Sequence, residues 1–72
     1  MKNSLVIDTI MFPVRYYDQT QQIFDAENNL VADVRGWGRI SHLDRAEERQ
    51  DAIGQFIADA MNEKIAGDAN NT

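Results

Sequence analysis

The spacing of apolar residues changes once along this chain, near Asp44. Before that residue, short runs of apolar and β-branched residues alternate with polar ones, which is typical of β-strands. After it, apolar residues recur every three or four positions up to Ala66, as they do along one side of an α-helix. Asp44 and Glu47 resemble an N-terminal capping box, and Gly67 favours a helix end. The pattern therefore predicts strands followed by one C-terminal helix.

Two segments before Asp44 set the predicted sheet. Residues 4–12, SLVIDTIMF, are dense in strand-forming residues and predict a first strand, which could resume beyond a bulge at Pro13. Residues 25–29, DAENN, predict a tight turn between two further strands, with Asn28 in the left-handed conformation that closes it. The predicted fold is α+β: a three-stranded antiparallel sheet (β-β-β-α) with one C-terminal amphipathic helix packed on it.

The chain has 72 residues, enough for one domain, which we expect to span residues 1–66, with a disordered tail at 67–72. A core of this size contributes only ~3–5 kcal/mol, so small domains usually need a disulfide, a metal or a second subunit. The sequence has no cysteine and a single histidine, His42. Oligomerisation is the remaining source of stability, and we predict a homodimer.

The net charge of −5 is unevenly distributed. Residues 44–72 hold three basic and seven acidic side chains, which disfavours nucleic-acid binding by the C-terminal half. No apolar run approaches the ~20 residues of a membrane span, and the N-terminal stretch does not resemble a secretory signal. We therefore expect a cytoplasmic protein that does not bind membranes.

The predicted helix carries an apolar arc that covers about half of its circumference, more than one packed face requires. Ile53 lies at the centre of this arc and is predicted to belong to the intramolecular core. Met61 and Ile65 lie toward one edge, so they are predicted to be nearer the dimer interface.

Gly54 has two interpretations, because glycine inside a helix is unfavourable by ~1 kcal/mol and needs a reason. With Ala58, it could form a flat patch against which a second backbone packs. Alternatively, a bulky strand residue such as Trp37 packs over it within the same subunit. We favour the second interpretation.

The only tryptophan, Trp37, lies in RGWGR at residues 35–39. It could be a core or dimer anchor, an exposed protein-binding residue, or a platform on which a nucleobase stacks. Because tryptophan is highly buried on average, we favour the anchor, with Arg35 and Arg39 at its rim.

Catalytic and metal-binding motifs are weak. Ser41, His42 and Asp44 have the residue types of a catalytic triad, but close neighbours on one loop cannot adopt its geometry. Four acidic residues have a spacing that could hold a divalent cation: Asp44, Glu47, Glu48 and Asp51. Acidic residues are, however, also favoured at a helix start by the helix dipole. We predict no enzymatic activity, no cofactor and no metal.

Two stretches, IFDAENNLVADVRGWGRI and EERQDAIGQFIADAMNE, resemble small uncharacterised accessory proteins of tailed bacteriophages and prophages. The resemblance covers about residues 23–63 and includes no functional motif. It implies a phage-encoded protein in the cytoplasm of a bacterial host, where many such proteins bind and redirect a host protein.

Three functions remain open. The leading prediction is a non-enzymatic protein-interaction module that binds or modulates a host or phage protein. The alternatives are a small nucleic-acid-binding protein, which would use Arg15, Arg35, Trp37 and Arg39, and a minor structural or assembly component. The candidate interaction residues are Arg35, Trp37, Arg39, Gly54, Ala58, Met61 and Ile65.

Overall fold

The computed structural model describes residues 3–36 and 38–70, with side chains up to residue 67. A three-stranded antiparallel sheet in the order β1-β2-β3 packs one face against a long C-terminal helix, α2. The predicted α+β class is confirmed. In chain order the elements are α1 (Ser4–Thr9), β1 (Arg15–Tyr17), β2 (Gln22–Phe24), β3 (Leu30–Asp33), a 3₁₀ helix (Arg39–His42) and α2 (Ala46–Asn70).

The strand predicted over residues 4–12 is wrong, because residues 4–9 form the short helix α1 and the sheet begins only at Arg15. A β-branched sequence favours a strand where a neighbouring strand satisfies its backbone, and here the backbone bonds are made locally. The Thr9 hydroxyl donates to the Leu5 carbonyl at 2.7 Å. Leu5 is 80% exposed, and from residues 4–12 only Ile10 and Phe12, which follow α1, pack against the core.

The turn between β2 and β3 forms where it was predicted, and Asn28 has the expected left-handed backbone, with φ 66°. Asp25 organises it. Its carboxylate is buried and accepts backbone N–H bonds from Glu27 and Asn29 at 2.9 Å and from Met11 at 3.2 Å. Hydrogen bonds from the backbone, that of Asn29 first, lower the pKa of Asp25. One carboxylate thus joins the hairpin to the segment after α1.

The core lies between the sheet and α2. In the sheet register Ile23 pairs with Tyr16 on one side and with Ala32 on the other. Among the described residues three apolar side chains are buried: Val14, Ile23 and Ala58. The core is therefore small, as the length of the chain predicts.

Both predicted ends of the helix need correction. α2 begins at Ala46, directly after Arg45, which has a left-handed backbone. The Asp44 carboxylate does not form the predicted capping box. It accepts a hydrogen bond from the Arg49 guanidinium at 2.9 Å instead. Gly67 does not end the helix, because its φ is not positive and a glycine cap requires the left-handed conformation. The backbone stays helical to Asn70, and the final two residues of the predicted tail lie outside the described residues.

Candidate interaction surface on the C-terminal helix

Small residues lie at the centre of the side of α2 that faces the sheet, and Ile57 and Met61 pack against the core beside them. The Tyr16 ring lies directly on Gly54, and a Cβ atom at that position would overlap the ring carbons. Ala58, one turn further on, is fully buried. We call Gly54 and Ala58, together with Gln50, the inner helix face. The interpretation that a bulky strand residue covers Gly54 is confirmed, and this residue is Tyr16.

Polar side chains attach the inner helix face and its edges to the sheet. The Tyr16 hydroxyl donates to the Asp51 carboxylate at 2.7 Å, and buried Gln50 donates its side-chain amide to the Val34 carbonyl. The side chain of Asn62 accepts from the Val14 N–H at 2.8 Å and donates to the Val14 carbonyl at 3.0 Å. These bonds hold α2 at two places about three helical turns apart, so they orient the helix on the sheet.

The environment of Tyr16 keeps its hydroxyl neutral. Burial first, and then the hydrogen bond to the negative Asp51 carboxylate, raise the pKa of Tyr16 above its ordinary value of 10.0. The neutral hydroxyl is the form that can donate this bond. The contact is therefore structural at neutral pH.

The opposite side of α2 carries large apolar residues in solvent. Phe56 is 72% exposed and Ile53 is 41% exposed. The predicted core position of Ile53 is therefore wrong. The sheet lies against the Gly54 side of the apolar arc, where the backbones can approach closely, and not against its bulkiest part. We call the exposed residues on this side of α2 the outer helix face: Arg49, Ala52, Ile53, Phe56, Ala60 and Glu63.

Charged residues end the apolar part of the outer helix face, with Arg49 on the N-terminal side and Glu63 on the C-terminal side. Within the described ranges, no helix combines the length and the apolar character needed to cross a membrane. The outer helix face is thus an apolar centre between two opposite charges.

Met61 and Ile65 contact other parts of their own chain. Met61 packs against the buried core. Both residues, with Val6 and Phe12 from the N-terminal segment, line a groove of about 150 Å³. They therefore lie near α1 and not on the outer helix face.

The candidate residues of the RGWGR segment have different surroundings. The Arg35 guanidinium binds the Asp33 carboxylate at 2.6 Å, and this hydrogen bond holds the pKa of Asp33 at about 2. Arg39 is exposed at the start of the 3₁₀ helix. Trp37 lies outside the described residues, so its role as an anchor stays a prediction.

The open face of the sheet holds an aromatic cluster that the sequence reasoning missed. The rings of Tyr17 and Phe24 are 5.1 Å apart between centroids, and the Arg15 guanidinium lies 5.5 Å from the Tyr17 centroid. Arg15 also donates to the Asn28 side chain at 2.9 Å. The alternation of Arg15 and Tyr17 around the inward-facing Tyr16 was the available signal.

Four of the possible catalytic and metal-binding residues are engaged in other contacts: Ser41, Asp44, Glu48 and Asp51. Asp44 binds Arg49 and Glu48 binds Arg45, at 2.9 and 2.8 Å. Ser41 donates its hydroxyl to a backbone carbonyl at 3.0 Å. Over the part of the chain that the structure describes, no three His, Cys, Asp or Glu side chains are grouped so that they could hold a metal ion.

Comparisons with known proteins assign no family to the chain. The resemblance to phage proteins over about residues 23–63 therefore stays an expectation from the sequence pattern. No protein-family model, no curated protein and no solved structure matches this chain.

Proposed function

We propose that this protein is a small non-enzymatic interaction module that contacts a protein partner through the outer helix face. The observation that carries the proposal is Phe56, which is 72% exposed at the middle of α2. Ala52 and Ala60 lie one turn to either side, so the ring projects above small neighbours. Large aromatic residues in such positions contribute a disproportionate share of binding energy at protein interfaces.

The attachment of α2 to the sheet supports this proposal. Tyr16 packs on Gly54, and Asn62 bonds both backbone groups of Val14. A surface on a helix held in this way is already in its binding conformation, so association costs little ordering entropy.

The biological setting is proposed from the sequence resemblance. An accessory protein of a phage or prophage would act in the cytoplasm of its bacterial host, on a host protein or on another phage protein. Nucleic-acid binding has less support, because the chain carries a net charge of −5. If the partner is a phage structural protein, this protein would act as a minor assembly component.

Quantitative affinity capture from host lysate, with and without phage infection, tests the proposal when wild type is compared with Phe56→Asp. Leu5→Asp is the matched control, because Leu5 is an equally exposed large apolar residue on a different helix. We expect the variant at Phe56 to lose a specific set of proteins that wild type and the Leu5 variant retain. Capture that is identical for all three proteins, together with a wild-type protein that stays monomeric, would overturn the proposal. Nuclease treatment that abolishes capture would support the nucleic-acid alternative instead.

A further inference from the structure

We infer that the partner of the outer helix face is a second copy of this chain, and that two α2 helices pair antiparallel with Phe56 at their crossing point. This inference rests on the proposed function, since it names the partner of the same surface.

The residues of the outer helix face are arranged symmetrically about Phe56. Arg49 and Glu63 each lie seven residues away, and residues seven apart in an α-helix differ by only ~20° around its axis. The three residues therefore form one line along the exposed side of α2. Ala52 and Ala60 each lie four residues from Phe56, and both are exposed. In either direction from Phe56, a small residue is followed by a charged one.

The two charges have opposite signs, and this favours one direction of pairing. In an antiparallel pair centred on Phe56, Arg49 of one copy meets Glu63 of the other, and twofold symmetry makes this contact twice. A parallel pair would instead place Arg49 against Arg49 and Glu63 against Glu63. Charge complementarity therefore selects the antiparallel arrangement.

The local geometry of Arg49 suits this contact. Its Nε donates to the Asp44 carbonyl at 2.7 Å and its Nη2 donates to the Asp44 carboxylate at 2.9 Å, which orients the guanidinium at the start of α2. A guanidinium has five N–H donors, so further donors remain for a carboxylate of the second copy.

A surface depression adjoins the N-terminal half of the outer helix face. Arg45, Glu48, Arg49 and Ala52 line a depression of about 350 Å³. In the antiparallel pair this depression faces the stretch from Ala60 to Glu63 of the second copy. The small Ala52 and Ala60 side chains let the two helices approach closely there.

The size of the contact places it among the small, weak interfaces. The line from Arg49 to Glu63 is about 21 Å long, at 1.5 Å per helical residue. A contact along one such helix side is smaller than the ~1,600 Å² of a standard stable interface. We therefore expect a dissociation constant in the range of about 10–100 μM.

A charge exchange followed by sedimentation equilibrium tests the contact between Arg49 and Glu63. Arg49→Glu or Glu63→Arg alone is expected to weaken dimerisation about tenfold, because each creates two like-charged contacts. The double variant should return to within about threefold of wild type. Asp18→Arg makes the same charge change as Glu63→Arg on the exposed turn after β1, and it should leave dimerisation unchanged. A double variant as weak as the single ones would overturn the pairing.

Cysteine pairing tests the direction of the helices, and the absence of cysteine from the chain makes it possible. The Ala52→Cys and Ala60→Cys variants are mixed in equal amounts and oxidised. In the antiparallel pair, residues 52 and 60 face each other, whereas the two copies of residue 52 are displaced along the axis by about 12 Å. We expect the mixed disulfide to predominate. Predominance of the two symmetric disulfides would overturn the antiparallel arrangement.

The outcomes separate this inference from the proposed function. A wild-type protein that stays monomeric at millimolar concentration, yet captures another protein in a Phe56-dependent way, overturns the inference and leaves the proposed function standing. A dimer that is insensitive both to Phe56→Asp and to the charge exchange uses another surface, and overturns the inference alone if Phe56-dependent capture persists. A wild-type protein that neither dimerises at millimolar concentration nor captures a partner overturns both.

Discussion

The two sides of α2 differ in a way that reverses the usual amphipathic helix. The inner helix face presents Gly54 and Ala58, which are buried, whereas the outer helix face presents Phe56 and Ile53, which are exposed. Most helices direct their large apolar residues to the core and their polar residues to water. Here Gly54 and Ala58 lie at the centre of the packed side, and the larger Ile57 and Met61 pack against the core beside them. Close approach at Gly54 therefore helps to decide which side of this helix meets the sheet.

The sheet supplies the bulk that the inner helix face lacks. Tyr16 fills the space over Gly54, and its hydroxyl reaches Asp51 because the helix lies so close. Ile23 completes the contact from the middle strand. Since Tyr16 and Ile23 fill this part of the core from the sheet side, Ile53 and Phe56 remain exposed and available for a partner.

The largest expected effect is at Gly54, where the same substitution can be compared with Gly67. Gly54→Ala places a Cβ into the Tyr16 ring, so we expect it to lower the free energy of unfolding by ~1–3 kcal/mol, although alanine is the better helix former. Gly67 is also helical but has open space around it, so Gly67→Ala should raise stability by ~0.5–1 kcal/mol. Urea unfolding at low protein concentration measures both. Stabilisation by both substitutions would mean that the inner helix face is not closely packed.

The second effect concerns the turn between β2 and β3, which Asp25 joins to the segment after α1. Asn28 has φ 66°, a conformation that costs a β-branched residue ~1–2 kcal/mol and costs glycine nothing. We expect Asn28→Val to lower the melting temperature and Asn28→Gly to leave it almost unchanged, apart from the lost bond to Arg15. Equal melting temperatures for the two variants would show that the turn has a different backbone.

The third effect separates the Tyr16 ring from its hydroxyl. Tyr16→Phe keeps the ring over Gly54 and removes the hydrogen bond to Asp51, so we expect a loss of ~0.5–1.5 kcal/mol at pH 8.

The pH dependence of this variant gives a sharper result. The pKa of Tyr16 is higher in the folded protein than the 10.0 of an ordinary tyrosine, chiefly through burial. The contribution of the Tyr16 hydroxyl to the free energy of unfolding is therefore complete below pH 10 and is lost as the pH rises above that value. Wild type should lose stability above pH 10 more steeply than Tyr16→Phe. Parallel curves would contradict the proposed role of the hydroxyl.

The smallest effect on folding is expected at Phe56. Phe→Ala in a core costs ~3–5 kcal/mol, but Phe56 is exposed, so Phe56→Ala should change the stability of the dilute protein by less than ~0.5 kcal/mol. Its consequence should appear instead in association, as loss of any dependence of the melting temperature on protein concentration. A large destabilisation in dilute solution would place Phe56 in the core.

Local chemistry made some of this structure predictable. The turn at residues 25–29 could be located because aspartate and asparagine favour turn conformations of the backbone. The left-handed backbone of Asn28 confirms this prediction. The existence of α2 followed from the change in apolar spacing. Both signals depend on near neighbours in the chain.

The parts that could not be predicted depend on distant contacts. Residues 4–9 have strand-like composition, but no neighbouring strand pairs with them in the described sheet, and they form a helix. Apolar spacing located the arc of α2 but not the part of it that meets the sheet, so Ile53 was misplaced. The partner of Gly54 was expected to be a bulky strand residue, yet only the fold identified it as Tyr16.

Thiol reactivity of two matched cysteine variants tests most directly that the inner helix face is core and the outer helix face is an interface. Ala58→Cys and Ala52→Cys make the same change on opposite sides of α2, in a chain without other cysteines. In dilute protein, we expect the thiol at position 52 to react at the rate of a free thiol and that at position 58 to react only through unfolding. At a concentration about a hundredfold higher, position 52 should become protected while the rate at position 58 changes little. Similar rates at the two positions, or no protection of position 52 at high concentration, would contradict this assignment of the two faces.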